Sequence, residues 1–358
     1  MSMRKRVAVV LLNLGGPDSP DSVQPFLFNL FNDPAIIELP QPLRWLLAKL
    51  IARRRTALAR ANYAKIGGAS PLLANTQAQA RALAASLAQL GEIELFVAMR
   101  YWRPFTEDTA RDVAAFTPDA VVLLPLYPQF SGTTSGSSLR RWHQAARAAG
   151  ITAPTHAVCC WPELPGFIAA AAELIDQALR RAAALGRPRL LLSAHGLPKK
   201  TVARGDPYQA QVERSAGAIL AALERRDAAW RGIEHVVCYQ SRVGPLEWLG
   251  PYTDAEIHRA ARDKAAIVIF PIAFVSEHSE TLVELDIDYR HIAEAEGAAA
   301  YLRVPTVGIA PAFIAGLAGL VGDVLQRQPV TQSATGWRLC PAGFARCAMR
   351  PASVESPA

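Results

Sequence analysis

This chain predicts an α/β fold in two similar halves, each an open, mostly parallel sheet flanked by helices. Three observations carry that expectation. Short apolar runs alternate with longer Ala-, Arg- and Leu-rich stretches, several runs are apolar at every position, and the whole rhythm occurs twice. Continuous apolar runs suit strands covered on both faces, and strand–helix alternation gives parallel pairing through crossovers. Strands are expected at 7–13, 95–99, 120–125, 156–160, 190–194, 235–240 and 267–271, and helices at 75–90, 165–185, 208–225 and 254–263. The halves are placed at 1–150 and 151–310, around the joint "RAAGITAPTHAV". A last helix packing back is expected within 311–328, and the residues "QPVTQSATGW" open a loose tail at 329–358. A length of 358 residues agrees with about two domains.

The totals exclude several classes. A net charge of +7 permits anionic ligands or lipid headgroups, but no RGG tract, aromatic-interleaved basic run or Cys/His finger spacing supports nucleic acid. The opening "MSMRKRVAVVLLNLGG" imitates a signal peptide, yet its apolar run is short and ends in "GGPDSPDS", which reads better as a buried first strand. Five cysteines are odd in number and few, so a disulfide framework is not expected. These features predict a cytoplasmic protein. Monomer and homodimer both stay open.

In open α/β sheets, sites form in the loops at the carboxyl ends of strands. The first such loop holds Gly15 and Gly16, which suit either a tight turn or close approach of a ligand. It carries neither G-x-G-x-x-G nor a Walker lysine. Residues 98–106, "AMRYWRPFT", and 125–138, "PLYPQFSGTTSGSS", suit a flat aromatic ligand with acidic groups, or plain loop packing. In "LLLSAHGLPKK", His195 falls at a strand's end, placed for proton transfer or metal contact.

After the last of these strands comes "FVSEHSETLVELDIDY", with Glu277, His278, Glu280, Glu284, Asp286 and Asp288 gathered in a basic chain. On an α-helix starting near Ser279, Glu280, Glu284 and Asp288 share one face, at 100° per residue, and Glu277 points the same way if the first turn reaches it. This is either a solvated acidic face or a carboxylate ladder facing the cleft of His195. One histidine and one carboxylate suit a divalent metal held loosely and passed on.

Taken together, "LLNLGGP", "YAKIGGASPL", "MRYWRP", "LYPQFSGTTSGSS", "SAHGLP", "RGDPY", "CYQSRVGPLEWLGP" and "PIAFVSEHSETLVELDIDY" resemble the ferrochelatases, in order across residues 11–289. That resemblance implies two similar Rossmann-like, chelatase-type domains with a porphyrin cleft between them, and insertion of Fe²⁺, a substrate, into protoporphyrin IX, with no cofactor required. It implies His195 and Glu280 as the catalytic and metal-contacting pair. It implies Glu277, His278, Glu284 and Asp288 as an acidic track, and Leu14, Tyr63, Ser70, Arg100 and Tyr101 as the porphyrin pocket. Leu14 stands where coproporphyrin-using relatives tend to carry tyrosine, which favours protoporphyrin. The alternatives are a non-catalytic tetrapyrrole or metal carrier, and a chelatase for cobalt or coproporphyrin III.

Two further implications follow from the resemblance. Some relatives carry a [2Fe–2S] cluster, and here Cys159, Cys160, Cys340 and Cys347 would have to serve, with Met349 at the remaining position. Adjacent cysteines on a strand would point to opposite faces, which counts against the cluster. The stretch "QPLRWLLAKLIARRR", 41–55, has apolar and basic faces suited either to a peripheral contact with the inner membrane at the cleft's lip or to an ordinary amphipathic helix.

Overall fold

The structure is a computed structural model that describes residues 5–89 and 91–349. The first half opens with β1 (Arg6–Asn13), then α1 (Val23–Phe31), α2 (Leu43–Ala64), α3 (Leu72–Leu87) and β2 (Glu92–Met99). It continues through α4 (Thr106–Phe116), β3 (Ala120–Pro125), α5 (Ser135–Ala148) and β4 (Thr155–Val158). The second half runs α6 (Pro165–Ala183), β5 (Pro188–His195), α7 (Lys199–Ala203), α8 (Tyr208–Arg226), β6 (His235–Gln240), α9 (Thr253–Arg262) and β7 (Ala266–Pro271). A π-helix (Glu280–Asp288), α10 (Tyr289–Ala295) and β8 (Ala300–Arg303) complete it, and α11 (Pro311–Leu325) and β9 (Thr331–Gln332) follow.

Two parallel sheets result, ordered β2-β1-β3-β4-β9 and β6-β5-β7-β8. Apart from β9 the halves share one order, as the doubled rhythm predicts. The central strands are buried along nearly their whole length, which is why they read as unbroken apolar runs. β2 begins earlier than expected because it is an edge strand: Glu92 stays exposed and the alternation is polar at its start.

Three expectations change. β4 pairs with β3, so the first sheet runs past the joint expected at 150/151. Cys159 and Cys160 lie beyond β4 rather than in a strand. The tail is also ordered as far as Met349. β9 pairs with β4, Cys159 N–H donates to the Gln332 carbonyl at 2.7 Å, and Ala334 N–H donates to the Cys160 carbonyl at 2.9 Å. Arg338 then gathers the tail by donating to the carbonyls of Cys340, Pro341, Phe344 and Met349 at 2.8–3.0 Å. Composition reads such a segment as loose because its order comes from long-range backbone pairing and one guanidinium. The last part of the expected tail, 350–358, lies outside the described residues.

Helix α11 packs on α6 and on α3, and so joins the two halves. The crossing with α6 is closest at Gly166 and Gly316, where a Cβ on Gly166 would sit 2.2 Å from the Ala312 carbonyl oxygen and 2.8 Å from Gly316 Cα. Backbone cannot swing aside as a side chain can. Gly166→Ala is therefore expected to destabilise the protein by roughly 1–3 kcal/mol, as overpacking does. Urea denaturation checks this, and an unchanged midpoint would show that the crossing relaxes freely.

Candidate active site

Parallel pairing brings the carboxyl ends of β5, β6 and β7 to one edge, with β5 between its two neighbours. His195 is the last residue of β5. Its Nδ1 lies 2.6 Å from the Gly196 carbonyl oxygen. A carbonyl only accepts, so Nδ1 carries the hydrogen, and in the neutral ring Nε2 presents a lone pair. Nε2 faces Glu280 Oε2 at 3.5 Å. Both side chains are about one-third exposed, at 38% and 30%, so the pair opens to solvent or a ligand.

The segment after β7 is not the α-helix assumed from the sequence. It bonds i→i+5 as a π-helix, a rare form found mostly as single turns at functional sites. In this wider helix i+4 falls short of a full turn instead of just past it. Glu280, Glu284 and Asp288 thus still share a row, which sweeps the other way. Glu284 accepts from Ser241 N–H at 2.9 Å, Tyr289 Oη at 2.7 Å, Gln240 Nε2 at 3.2 Å and the Ser241 hydroxyl. Ser241 holds a φ of 65°, a left-handed conformation costly for a side chain with a Cβ. That strain aims two donors at one carboxylate.

The rest of the expected track divides. Asp288, at the outer end, pairs with Lys65 at 3.1 Å. Glu277 turns away from the row. It accepts from Arg303 at 2.6 Å and from Thr306 N–H at 2.9 Å. Burial pushes the Glu277 carboxyl up, but Arg303, Thr281 and Thr306 more than offset it and hold it below the usual range. His278 Nδ1 accepts the Glu280 N–H at 3.0 Å, and its ring meets Phe274 edge-on at 4.5 Å. His278 therefore caps the start of the π-helix. Burial, ahead of the opposing pull of Glu280 and Glu277, lowers its affinity for a proton.

The expected pocket residues come to the same region in part. Leu14 and Tyr63 join one apolar cluster with Phe26 and Trp102. Ser70 N–H donates to the Pro17 carbonyl at 2.7 Å, and a Cβ on Gly16 would meet the Ser70 hydroxyl at 2.4 Å. This is the close approach that Gly16 allows. The Ser279 hydroxyl donates to Tyr63 Oη at 3.4 Å, which links this wall to the segment bearing Glu280. Burial raises the Tyr63 hydroxyl to about 12. Arg100 and Tyr101 instead both hold Asp33, at 2.7 and 2.8 Å, and Tyr101 is buried. Their shared partner Asp33 gave no sequence signal.

The cysteines also converge. Cys159 and Cys160 present their sulfurs 3.5 Å apart, on the same side, because they sit in irregular backbone past β4. Gln211 Nε2 donates to Cys340 Sγ at 3.1 Å, and the same amide reaches Cys160. A hydrogen bond with Cys340 lowers the Cys347 thiol to about 6. Met349 Sδ accepts the Ser333 N–H at 3.2 Å. Among the described residues no three His, Cys, Asp or Glu side chains form a cage for a single metal ion. The thiols thus stand as two pairs that the Gln211 amide joins, the donor set a cluster of two irons would need, two thiolates on each iron.

A family model described as Ferrochelatase matches residues 6–325. The chain belongs to the ferrochelatase family. A ferrochelatase of Caulobacter vibrioides is 54% identical over 352 residues, 97% of this chain and 99% of its own. That of Phenylobacterium zucineum is 52% identical over 96% of this chain and 98% of its own, and that of Rickettsia bellii 44% over 96% and 95%. The chain is thus a metal-insertion enzyme, forming protohaem from Fe²⁺ and protoporphyrin IX.

Sequence reasoning missed Gln240, Ser241, Lys65 and Arg303. The first two lie in "CYQSR" and Lys65 in "YAKIGG", stretches legible only as family signatures. Arg303 ends β8, an edge strand of four residues too short to announce itself. Its side chain is 11% exposed and also pairs with Asp286 at 2.5 Å. Arg303→Met leaves two part-buried acids without their cation and is expected to cost roughly 1–3 kcal/mol at neutral pH, less than a fully buried pair would. A depressed carboxyl stabilises the fold above its unfolded value of 4.5, and that stability fades as pH falls through the folded value. The gap between variant and parent should therefore narrow below pH 4.5, measured by urea melts across pH. A gap independent of pH would contradict the role given to Glu277.

Proposed function

We propose that His195 Nε2 accepts the pyrrole protons of protoporphyrin IX and that Glu280 partners it in handling the metal. The observation that carries this is the 3.5 Å approach of an oriented imidazole acceptor to a carboxylate about one-third exposed. Metal insertion replaces two N–H hydrogens with one Fe²⁺, so two protons must leave the ring. The Gly196 carbonyl fixes the His195 ring with its acceptor outward, as a base requires. Each proton can pass from Nε2 to Glu280, and Glu284 stands next in the row. With one imidazole and one carboxylate the ion is coordinated incompletely, so the porphyrin nitrogens can take it over. Arg100 and Tyr101 serve the porphyrin indirectly, by holding Asp33 and the loop of β2 in place.

Anaerobic insertion, followed by loss of porphyrin fluorescence, tests the pair. His195→Ala is expected to lower kcat by about 10²–10⁴-fold, as loss of a general base does. A His195→Ala or Glu280→Ala enzyme with parental kcat would remove the pair from the chemistry.

The thiol pairs Cys159/Cys160 and Cys340/Cys347 would hold a [2Fe–2S] cluster. When bound, it would supply a covalent tie between the tail and the end of β4. Anaerobically purified protein is expected to contain cluster iron and acid-labile sulfide with a visible charge-transfer band, both lost in Cys160→Ala. Protein free of sulfide after anaerobic reconstitution would overturn this assignment.

The chain is further proposed to work in the cytoplasm, touching the membrane at its lip. No helix among the described residues is long and apolar enough to cross a membrane. On α2, however, Leu43, Trp45, Leu46 and Leu50 are exposed at 40–58% beside the basic Lys49, Arg53 and Arg54. Such a face binds anionic lipid by apolar burial and charge together.

A further inference from the structure

His195 and Glu280 ride on different elements, and β5 and β7 pair in register only as far as Ser193 and Pro271. Beyond that point the two chains separate, so pairing alone does not fix the 3.5 Å gap between the reacting groups.

Gln240 bridges it. It ends β6, opposite His195 in the register, and is 1% exposed. Its backbone carbonyl accepts the Gly196 N–H at 2.8 Å, and Gly196 is the residue whose own carbonyl orients the His195 ring. Its side-chain Nε2 donates to the Glu280 carbonyl at 3.1 Å and to Glu284 Oε2 at 3.2 Å. Its Oε1 accepts from the Ser193 hydroxyl at 2.8 Å, which ties it back to β5. One side chain thus grips β5 with its acceptor and the π-helix with its donors.

We infer that Gln240 is a positioning residue that sets the His195–Glu280 separation, and through it the coordination geometry the pair offers an ion. This rests on the assignment of that pair. Only an amide meets the demand, since the site needs donor and acceptor on one planar group. Leucine would leave the Glu280 carbonyl and the Ser193 hydroxyl without this partner. Glutamate, charged, would set an acceptor against two acceptors, whereas protonated glutamate regains a donor beside an acceptor. The titratable groups facing position 240 are Glu280 and Glu284 from the π-helix and His195 from β5, with Tyr289 of α10 bonded to the other oxygen of Glu284.

The test compares parent, Gln240→Glu, Gln240→Leu and His195→Ala in anaerobic insertion of Fe²⁺ and Zn²⁺, with thermal melts alongside. Gln240→Leu is expected to lose about 10–100-fold in kcat, the usual cost of removing a partner that orients metal-contacting groups, with the porphyrin KM kept and the Fe²⁺:Zn²⁺ rate ratio changed. Gln240→Glu, which keeps the shape but lacks the amide N–H donors, is expected to lose kcat as Gln240→Leu does. A merely structural loss would not change the metal ratio while the porphyrin KM is kept. Parental kcat and metal ratio in both variants would overturn the inference, as would equal losses with both metals in a protein with a parental melt. Full turnover in His195→Ala would overturn the pair, and the positioning role with it.

Discussion

Everything at this site depends on β5 lying between β6 and β7 in parallel register. Parallel pairing delivers three carboxyl ends to one edge, so the loops that follow must share one volume. His195 closes the middle strand, Gln240 and Ser241 leave one neighbour, and the π-helix follows the other. An antiparallel neighbour would have sent one of these groups to the far edge. Burial of β5 and β7, and of the carboxyl end of β6, makes the edge rigid, which lets hydrogen bonds of ordinary strength hold His195 and Glu280 in place.

The acids gathered in a basic chain are mostly compensated, and the compensation is selective. Arg303 meets Glu277 and Asp286, Lys65 meets Asp288, and Arg290 reaches Asp286 at 3.9 Å. Glu284 is held by neutral donors, and Glu280 by the imidazole of His195. The cations therefore stand at the back and at the outer end of the row, while the two innermost carboxylates have no Lys or Arg partner among the described residues. A paired acid with good geometry locks structure, and a carboxylate met by neutral donors keeps its attraction for a cation. The segment is thus scaffold on one side and open to a cation on the other.

What the sequence revealed follows from the range of the forces involved. Apolar runs at 120–125 and 267–271 are local signals of double-sided burial, and the strands appear there almost to the residue. His195 was legible because a strand's end is marked by the turn residues after it. The π-helix was not, since the spacing of Glu280, Glu284 and Asp288 suits both helical forms and tertiary bonds choose between them. Gln240 carries no periodic or charge signature. Its importance lies in four partners that only the fold brings together. Cys159 and Cys160 were misjudged by assuming that β4 continues through them, whereas it stops at Val158.

The tail extends the same logic to the start of α2. Arg346, beside Cys347, reaches Glu38 at 3.1 Å, and Arg204 from the second half meets that same carboxylate. Glu38 precedes α2, the helix with the exposed apolar face. Each of these ion pairs is solvent-exposed and worth little alone. Together they make the approach to α2, the second half and the sulfur-rich tail share one anchoring point. Parting such exposed pairs costs far less than breaking the part-buried network around Arg303, where one guanidinium meets two acids. Firm contacts thus gather behind the π-helix, and loose ones at the start of α2.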